Sequence, residues 1–196
     1  MKIELNDPLF LPHCSCEISL VLRPGEGVLL SGENGIGKST LLNRFHEILK
    51  PEKTAYLPQK ELDFFFDRTL GKLKKIFLDA NQSQLDSELF ETLWSLFQLN
   101  LREERKLSQL SGGEAQSLKI CLTLSKKADN FLLDEPFQFL DQSRREKLTE
   151  FILELQAKLK NIILVEHHLN LPLKEWRTLK LINDQGVLKL GDSWST

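Results

Sequence analysis

Cysteine is scarce in this chain of 196 residues, with three in all and no paired spacing. That excludes a disulfide framework and leads us to expect a reducing compartment. An excess of either charge is also missing, since 26 Lys and Arg stand against 28 Asp and Glu for a formal charge of -2. Proteins whose main task is coating nucleic acid show a basic excess, so no direct nucleic-acid partner is expected. Long apolar runs are absent as well. The longest, Ile162–Val165, has four residues, and others such as Phe64–Phe66 have three, against the roughly 20 that a membrane-spanning helix needs. The opening stretch Met1–Phe10 has one lysine, then alternation and acids, unlike the basic-then-apolar order of a signal peptide. There is no internal repeat and no low-complexity tract. A soluble chain is expected, with any membrane role carried by a partner. The 41% hydrophobic content supplies one core and argues against disorder.

Apolar residues fall into short, readable units. Ile18, Leu20 and Leu22 alternate as in a strand, and Pro24-Gly25-Glu26-Gly27 reads as a turn. Val28–Leu30, Ala55–Leu57, Phe131–Leu133 and Ile162–Val165 are continuous apolar runs of strand length. Helical spacing links Leu41, Leu42, Phe45, Ile48 and Leu49 up to Pro51, and again Leu148, Phe151, Ile152, Leu155 and Leu159. From Leu70 to Arg105 the pattern is helical and polar-rich, with Leu89, Leu93, Leu96 and Phe97 on one stripe. Unalternating strands separated by helices predict an α/β fold with a mostly parallel sheet covered on both faces. We expect one domain over residues 1–196, with residues 62–110 inserted as a helical subdomain.

Gly32-Glu33-Asn34-Gly35-Ile36-Gly37-Lys38-Ser39, continuing into Thr40, satisfies G-x-x-x-x-G-K-[ST]. It follows an apolar strand and opens a helix, which is the context a phosphate-binding loop requires. Glycines let backbone N–H groups wrap an anion, and the helix N-terminus adds partial positive charge. Lys38 is placed to reach the β- and γ-phosphates, and the Ser39 hydroxyl to ligate Mg²⁺. A chance match to the four fixed positions is expected in roughly one such chain per hundred at average residue usage.

Leu110-Ser111-Gly112-Gly113-Glu114 resembles the signature sequence of ATP-binding cassette (ABC) proteins. The other motifs of that family follow in its order. Gln59 in Tyr56-Leu57-Pro58-Gln59 resembles the Q-loop, and Phe131–Pro136 resembles the Walker B strand with its trailing glutamate. Phe139-Leu140-Asp141 resembles the D-loop, with Gln138 and Phe139 in place of the usual small residues, and Leu164–His167 resembles the H-loop. The resemblance covers nearly the whole chain.

It implies an α/β P-loop NTPase hydrolysing ATP with Mg²⁺ between two cassettes paired head to tail. Glu135 would be the general base, with Lys38, Gln59 and His167 completing the catalytic set. Gly32 to Thr40 would bind the nucleotide, and Ser111, Gly112 and Gly113 would bind the γ-phosphate of the other chain's ATP. Ser39, Gln59 and Asp134 would serve the metal. The family often stacks an aromatic residue on adenine, and Phe10 is the candidate, with a place in the core as the alternative. Gln59 comes only 21 residues after Lys38, which leaves no room for the family's usual extra hairpin and implies a trimmed antiparallel β-subdomain. His13-Cys14-Ser15-Cys16 lacks the spacing and the second cluster of a zinc site.

The function implied is the ATPase subunit of an ABC transporter, peripheral on the cytoplasmic face of the membrane, with a second cassette (a homodimer) and a membrane permease as partners. The rival is a soluble ABC-type ATPase acting on nucleic acid or ribosomes. The 52 residues from Gln59 to Ser111 suit a helical subdomain and exclude long coiled-coil arms. A pseudo-ATPase is disfavoured because Lys38, Gln59, Asp134, Glu135 and His167 are all present. The run Phe64-Phe65-Phe66, just after Gln59, either packs between the core and the helical insert or offers an aromatic anchor for a permease helix.

Overall fold

The computed structural model describes residues 2–11, 14–49, 53–59, 68–80, 83–166 and 176–192. Phe64, Phe65, Phe66 and His167 lie outside the described residues.

The strands are β1 (Lys2–Leu11), β2 (Cys14–Val21), β3 (Gly27–Ser31), β4 (Thr54–Leu57), β5 (Asn130–Asp134), β6 (Asn161–Val165), β7 (Arg177–Asp184) and β8 (Val187–Asp192). They form one eight-stranded sheet in the order β1-β2-β8-β7-β3-β6-β5-β4. From β7 to β4 every pairing is parallel, with Val28 opposite Ile163 and Arg177, and Leu132 opposite Ile163 and Tyr56. This half carries the continuous apolar runs, because both of its faces are covered. Alternate residues of one run go to opposite sides. Leu132, Ile163 and Val165 join Leu41, Leu42 and Phe45 of α1 (Lys38–Ile48) in one core cluster. Phe131, Leu133, Ile162 and Leu164 join the opposite cluster with α4 (Gly112–Leu124) and α5 (Gln142–Ala157). Leu70, Leu73, Phe90, Leu93, Trp94 and Phe97, from and beside α2 (Leu70–Ala80) and α3 (Ser87–Leu96), belong to this second cluster too.

The other half of the sheet is two antiparallel hairpins, β1–β2 and β7–β8, joined by a parallel β2–β8 contact at Ser15–Val187 and Cys16–Leu188. Among the described residues no strand lies between α1 and β4, in keeping with the short Lys38–Gln59 spacing. The β7–β8 hairpin turns through Gln185 and Gly186, both at positive φ (51° and 86°). Such a two-residue turn matches the strands' twist. Its sequence signal is the alternation of Leu179 with Leu181 and the Gln-Gly pair after Asp184.

Three expected helix residues fall past the ends of their helices. Leu49 and Phe97 are the C-caps of α1 and α3. Helical spacing puts Leu159 on the α5 stripe, but α5 ends at Ala157, and Leu159 sits in the left-handed region at φ 59°, 67% exposed. A single left-handed residue ends the helix and turns its side chain off the buried stripe.

Candidate active site

β3 ends at Ser31, and the chain loops through residues 32–37 into α1. Gly37 caps the helix at φ 107°, where a side chain would be strained. A Cβ there would also lie 3.0 Å from Leu11 Cδ1 and 3.2 Å from the Phe10 ring. Lys38 folds back inside the loop, and its ammonium donates to the carbonyls of Gly32 and Glu33, both at 2.9 Å. At 6% exposure, burial pulls its pKa down, opposed by the negative charges of Glu135 and Asp134. The cation is thus bonded to two carbonyls of its own loop, with the Glu135 and Asp134 charges nearby.

Asp134 ends β5 beneath this loop, 2% exposed, and neither carboxylate oxygen has a hydrogen-bond partner of good geometry. Burial pushes its pKa up, and the Glu135 charge adds to the rise. Ser39, Lys38 and Lys119 pull against it. A buried carboxylate left in this way fits a hydrated divalent cation, which would supply the missing partner. Glu135 follows at φ 48°, its N–H donating to the Val165 carbonyl at 3.0 Å. A non-glycine residue there carries of order 1–3 kcal/mol of backbone strain, a cost found mostly at functional positions. The turn carries Glu135 off the strand line, and it lines a cleft of about 470 Å³ together with Asn34, Lys38, Ser39, Thr40 and Gln59.

Ser111 caps α4 in a reciprocal box: Glu114 N–H donates to Ser111 Oγ at 3.3 Å, while Ser111 N–H donates to Glu114 Oε2 at 2.9 Å. This is the S-x-x-E pattern that starts helices. Ser111 and Gly112 are exposed and do not line the P-loop cleft. Gly112 instead borders a second cavity of about 230 Å³ shared with Gln59 and Phe139.

Of the residues singled out from the sequence, Asn34, Gly35, Gly37, Lys38, Ser39, Thr40, Gln59 and Glu135 line one cleft. Asp134 is buried, Gly32 and Glu33 supply carbonyls to Lys38, and Ile36 packs on the α1-side core. Phe10 does not fit the stacking role. It is 4% exposed and belongs to that core, with its ring against Gly37, so no face is free for a base; its neighbour Leu11 lines the cleft instead. A register shift in β1 between Asp7 and Leu11 puts Phe10 on the same buried side as Ile3 and Leu5 and leaves Leu11 at the cleft. From the sequence Gln116 stands out only as the end of Ala115-Gln116, which follows the signature, and Lys119 not at all; both side chains donate to backbone carbonyls distant in sequence.

A family profile described as "ABC transporter" matches residues 16–138. An uncharacterized ABC transporter ATP-binding protein of Haemophilus influenzae is 32% identical over 180 residues, covering 85% of this chain and 73% of the relative. A probable siderophore transport system ATP-binding protein of Bacillus subtilis is 29% identical, covering 89% and 74%. Coverage is uneven: an uncharacterized ABC transporter ATP-binding protein of Methanocaldococcus jannaschii is 30% identical, but the chain spans only 30% of its length. Among solved structures, an ABC transporter ATP-binding subunit superposes with a TM-score of 0.78 over 98% of this chain and 89% of its own, at 22% identity, a likeness of fold. An archaeal ribosome recycling factor, solved with the ribosomal stalk protein aP1, gives a TM-score of 0.75 at 25% identity, and the chain spans 38% of it. With a profile match over more than half its length and a relative of this identity and coverage, the chain belongs to the ABC transporter family of ATP-binding proteins and is an ABC-type ATPase.

Proposed function

We propose that this chain is the ATP-hydrolysing subunit of an ABC transporter, closing head to tail with a second copy around Mg·ATP and driving a separate membrane permease. The observation that carries the hydrolytic part is the buried, unsatisfied Asp134 carboxylate beside Ser39 and Lys38, with Glu135 turned into the same cleft.

Lys38 exchanges its two carbonyl bonds for the β- and γ-phosphates, and the N–H groups of residues 32–40 hold the remaining oxygens. Ser39 and Asp134, with Gln59, would hold Mg²⁺, which would supply positive charge against the phosphates. Glu135 takes the proton of the attacking water as that oxygen bonds to the γ-phosphorus and the bridge to the β-phosphate breaks. His167 is assigned as the γ-phosphate sensor from the resemblance alone. Ser111, Gly112 and Gly113 sit at the exposed N-terminus of α4, away from the cleft lining, which suits anion binding for a second copy.

The permease is the finer part of the reading. It draws support from the transport named for the Bacillus subtilis relative. No helix among the described residues is long and apolar enough to cross a membrane, so the membrane part would be a separate subunit, and this chain would sit on the cytoplasmic face. The likeness to a ribosome recycling factor favours a second reading, an ABC-type ATPase acting on ribosomes.

The test uses Glu135→Gln, which keeps shape and removes the base. With Mg·ATP it should elute from a sizing column as an ATP-loaded dimer while hydrolysis falls. An ATP-saturated monomer would count against the paired arrangement. If a polytopic membrane protein is encoded beside its gene, reconstitution with that protein should stimulate wild-type hydrolysis in vesicles. Sedimentation with ribosomes in ATP, without such stimulation, would favour the second reading.

A further inference from the structure

Helix α4 does more than present Ser111. Gln116 and Lys119 lie three residues apart, hence on one face of the helix, and each reaches a different wall of the nucleotide cleft. The Gln116 side-chain amide donates to the carbonyls of Glu135 (3.3 Å) and Pro136 (3.0 Å), just where the chain leaves β5 in its left-handed turn. The Lys119 ammonium donates to the carbonyls of Pro58 (3.3 Å) and Gln59 (3.2 Å).

Both side chains are buried, Gln116 at 4% and Lys119 at 8% exposure. Burying an ammonium is unfavourable unless its donors are satisfied. An apolar residue at position 119 would cover the same face without that cost, so packing alone gives no reason for a lysine. The segments it and Gln116 hold are the two that carry Gln59 and Glu135, both just past the ends of their strands: β4 ends at Leu57 and β5 at Asp134, with one further bond to the sheet from Glu135 N–H to the Val165 carbonyl. The Lys119 charge also reaches Asp134, drawing that carboxyl down against the rise imposed by burial.

We infer that Gln116 and Lys119 form a positioning clamp, which ties the Gln59 segment and the Glu135 turn to the helix that begins at the signature serine. Both water-directing groups then enter the cleft in one register. A displacement of the α4 N-terminus, where the second copy's phosphate would bind, is passed to both at once. This rests on the ATPase reading above.

The experiment is steady-state Mg·ATP hydrolysis and fluorescent-ATP binding by the full chain carrying Lys119→Met, Lys119→Arg or Gln116→Glu. Met keeps the stem and loses the donors, so Lys119→Met should bind ATP within about twofold of wild type while kcat falls about tenfold or more. Arg can still donate to two carbonyls, so Lys119→Arg should restore most of the lost kcat. Gln116→Glu sets an acceptor against two carbonyls and should show the same split between binding and turnover, which keeps the test open if Lys119→Met fails to fold. Wild-type kcat in folded Lys119→Met, parallel loss of binding and turnover, or no recovery with arginine would overturn the clamp. Failure of the ATPase reading looks different: the wild type itself would hydrolyse nothing, and the clamp would fall with it.

Discussion

The Gly113 backbone passes so close to Phe139 that a Cβ on Gly113 would lie 2.8 Å from the Phe139 carbonyl oxygen. Gly112, one residue earlier, has room, since its Cβ would meet the Phe139 ring at 3.4 Å, an ordinary contact. Phe139 is itself held at φ 62° and is 65% exposed, so the rigid partner is its backbone. Gly113→Ala should therefore cost about 1–3 kcal/mol, the usual penalty for overpacking, whereas Gly112→Ala should unfold within about 0.5 kcal/mol of wild type. Urea unfolding of both variants reads the difference, and equal midpoints would refute the contact.

Lys38→Ala removes two charge-assisted bonds to phosphate, each of which contributes about 1.5–3 kcal/mol. ATP affinity should fall about a hundredfold or more by calorimetric titration, with the far-ultraviolet circular dichroism unchanged because the loop contributes little core. Tight Mg·ATP binding by a folded Lys38→Ala would contradict the assignment of the cleft.

Asp134 sets stability against activity. Its carboxyl is held above the usual value of 3.8 by burial, with the Glu135 charge adding to the shift. The folded, nucleotide-free chain thus binds a proton there more tightly than the unfolded chain does. Its contribution to stability is full below the unfolded value and is lost as pH rises through the folded value. At neutral pH the charge is unfavourable, so Asp134→Asn should raise the Tm of the nucleotide-free protein, and the gain should shrink as pH falls toward the usual carboxylate range. Mg·ATP hydrolysis should be lost at every pH. A lower Tm for Asp134→Asn at neutral pH would mean that the carboxylate is satisfied in the folded state.

Far from the cleft, Gly27 opens β3 against the indole of Trp176. A Cβ there would come within 2.2 Å of the ring, which is anchored by its N–H to Gln156 Oε1 at 2.8 Å. Because an anchored indole has little freedom to give way, Gly27→Ala should cost about 3 kcal/mol, the upper end of the overpacking range. Gln156→Leu, which frees the indole N–H, should relieve part of that cost in the double variant. Additive losses would rule out the coupling.

The glycine-rich loop and the end of β5 were legible because their signals are local. A turn that needs glycines, a helix that opens on Lys38 and a strand that ends in Asp134 each sit within a few residues of sequence. The same holds for β3, β5 and β6, whose unbroken apolar runs follow from burial on both faces. Where the outcome depended on which face of a strand looks outward, composition was silent. Phe10 and Leu11 are both apolar, and only the register of β1 against β2 buries the first and turns the second to the cleft. The hairpin of β7 and β8 and the exclusion of Leu159 from α5 were likewise decided by turns at positive φ, which a stripe of apolar residues does not report. Gln116 and Lys119 were the least visible. Their partners are backbone carbonyls 19 to 61 residues away, and every residue has a carbonyl, so no pattern of side chains marks the choice. Sequence alone determined where the glycine-rich loop and its helix would form; how that loop's cleft is tied to α4 depended on carbonyls that only the folded chain brings within reach.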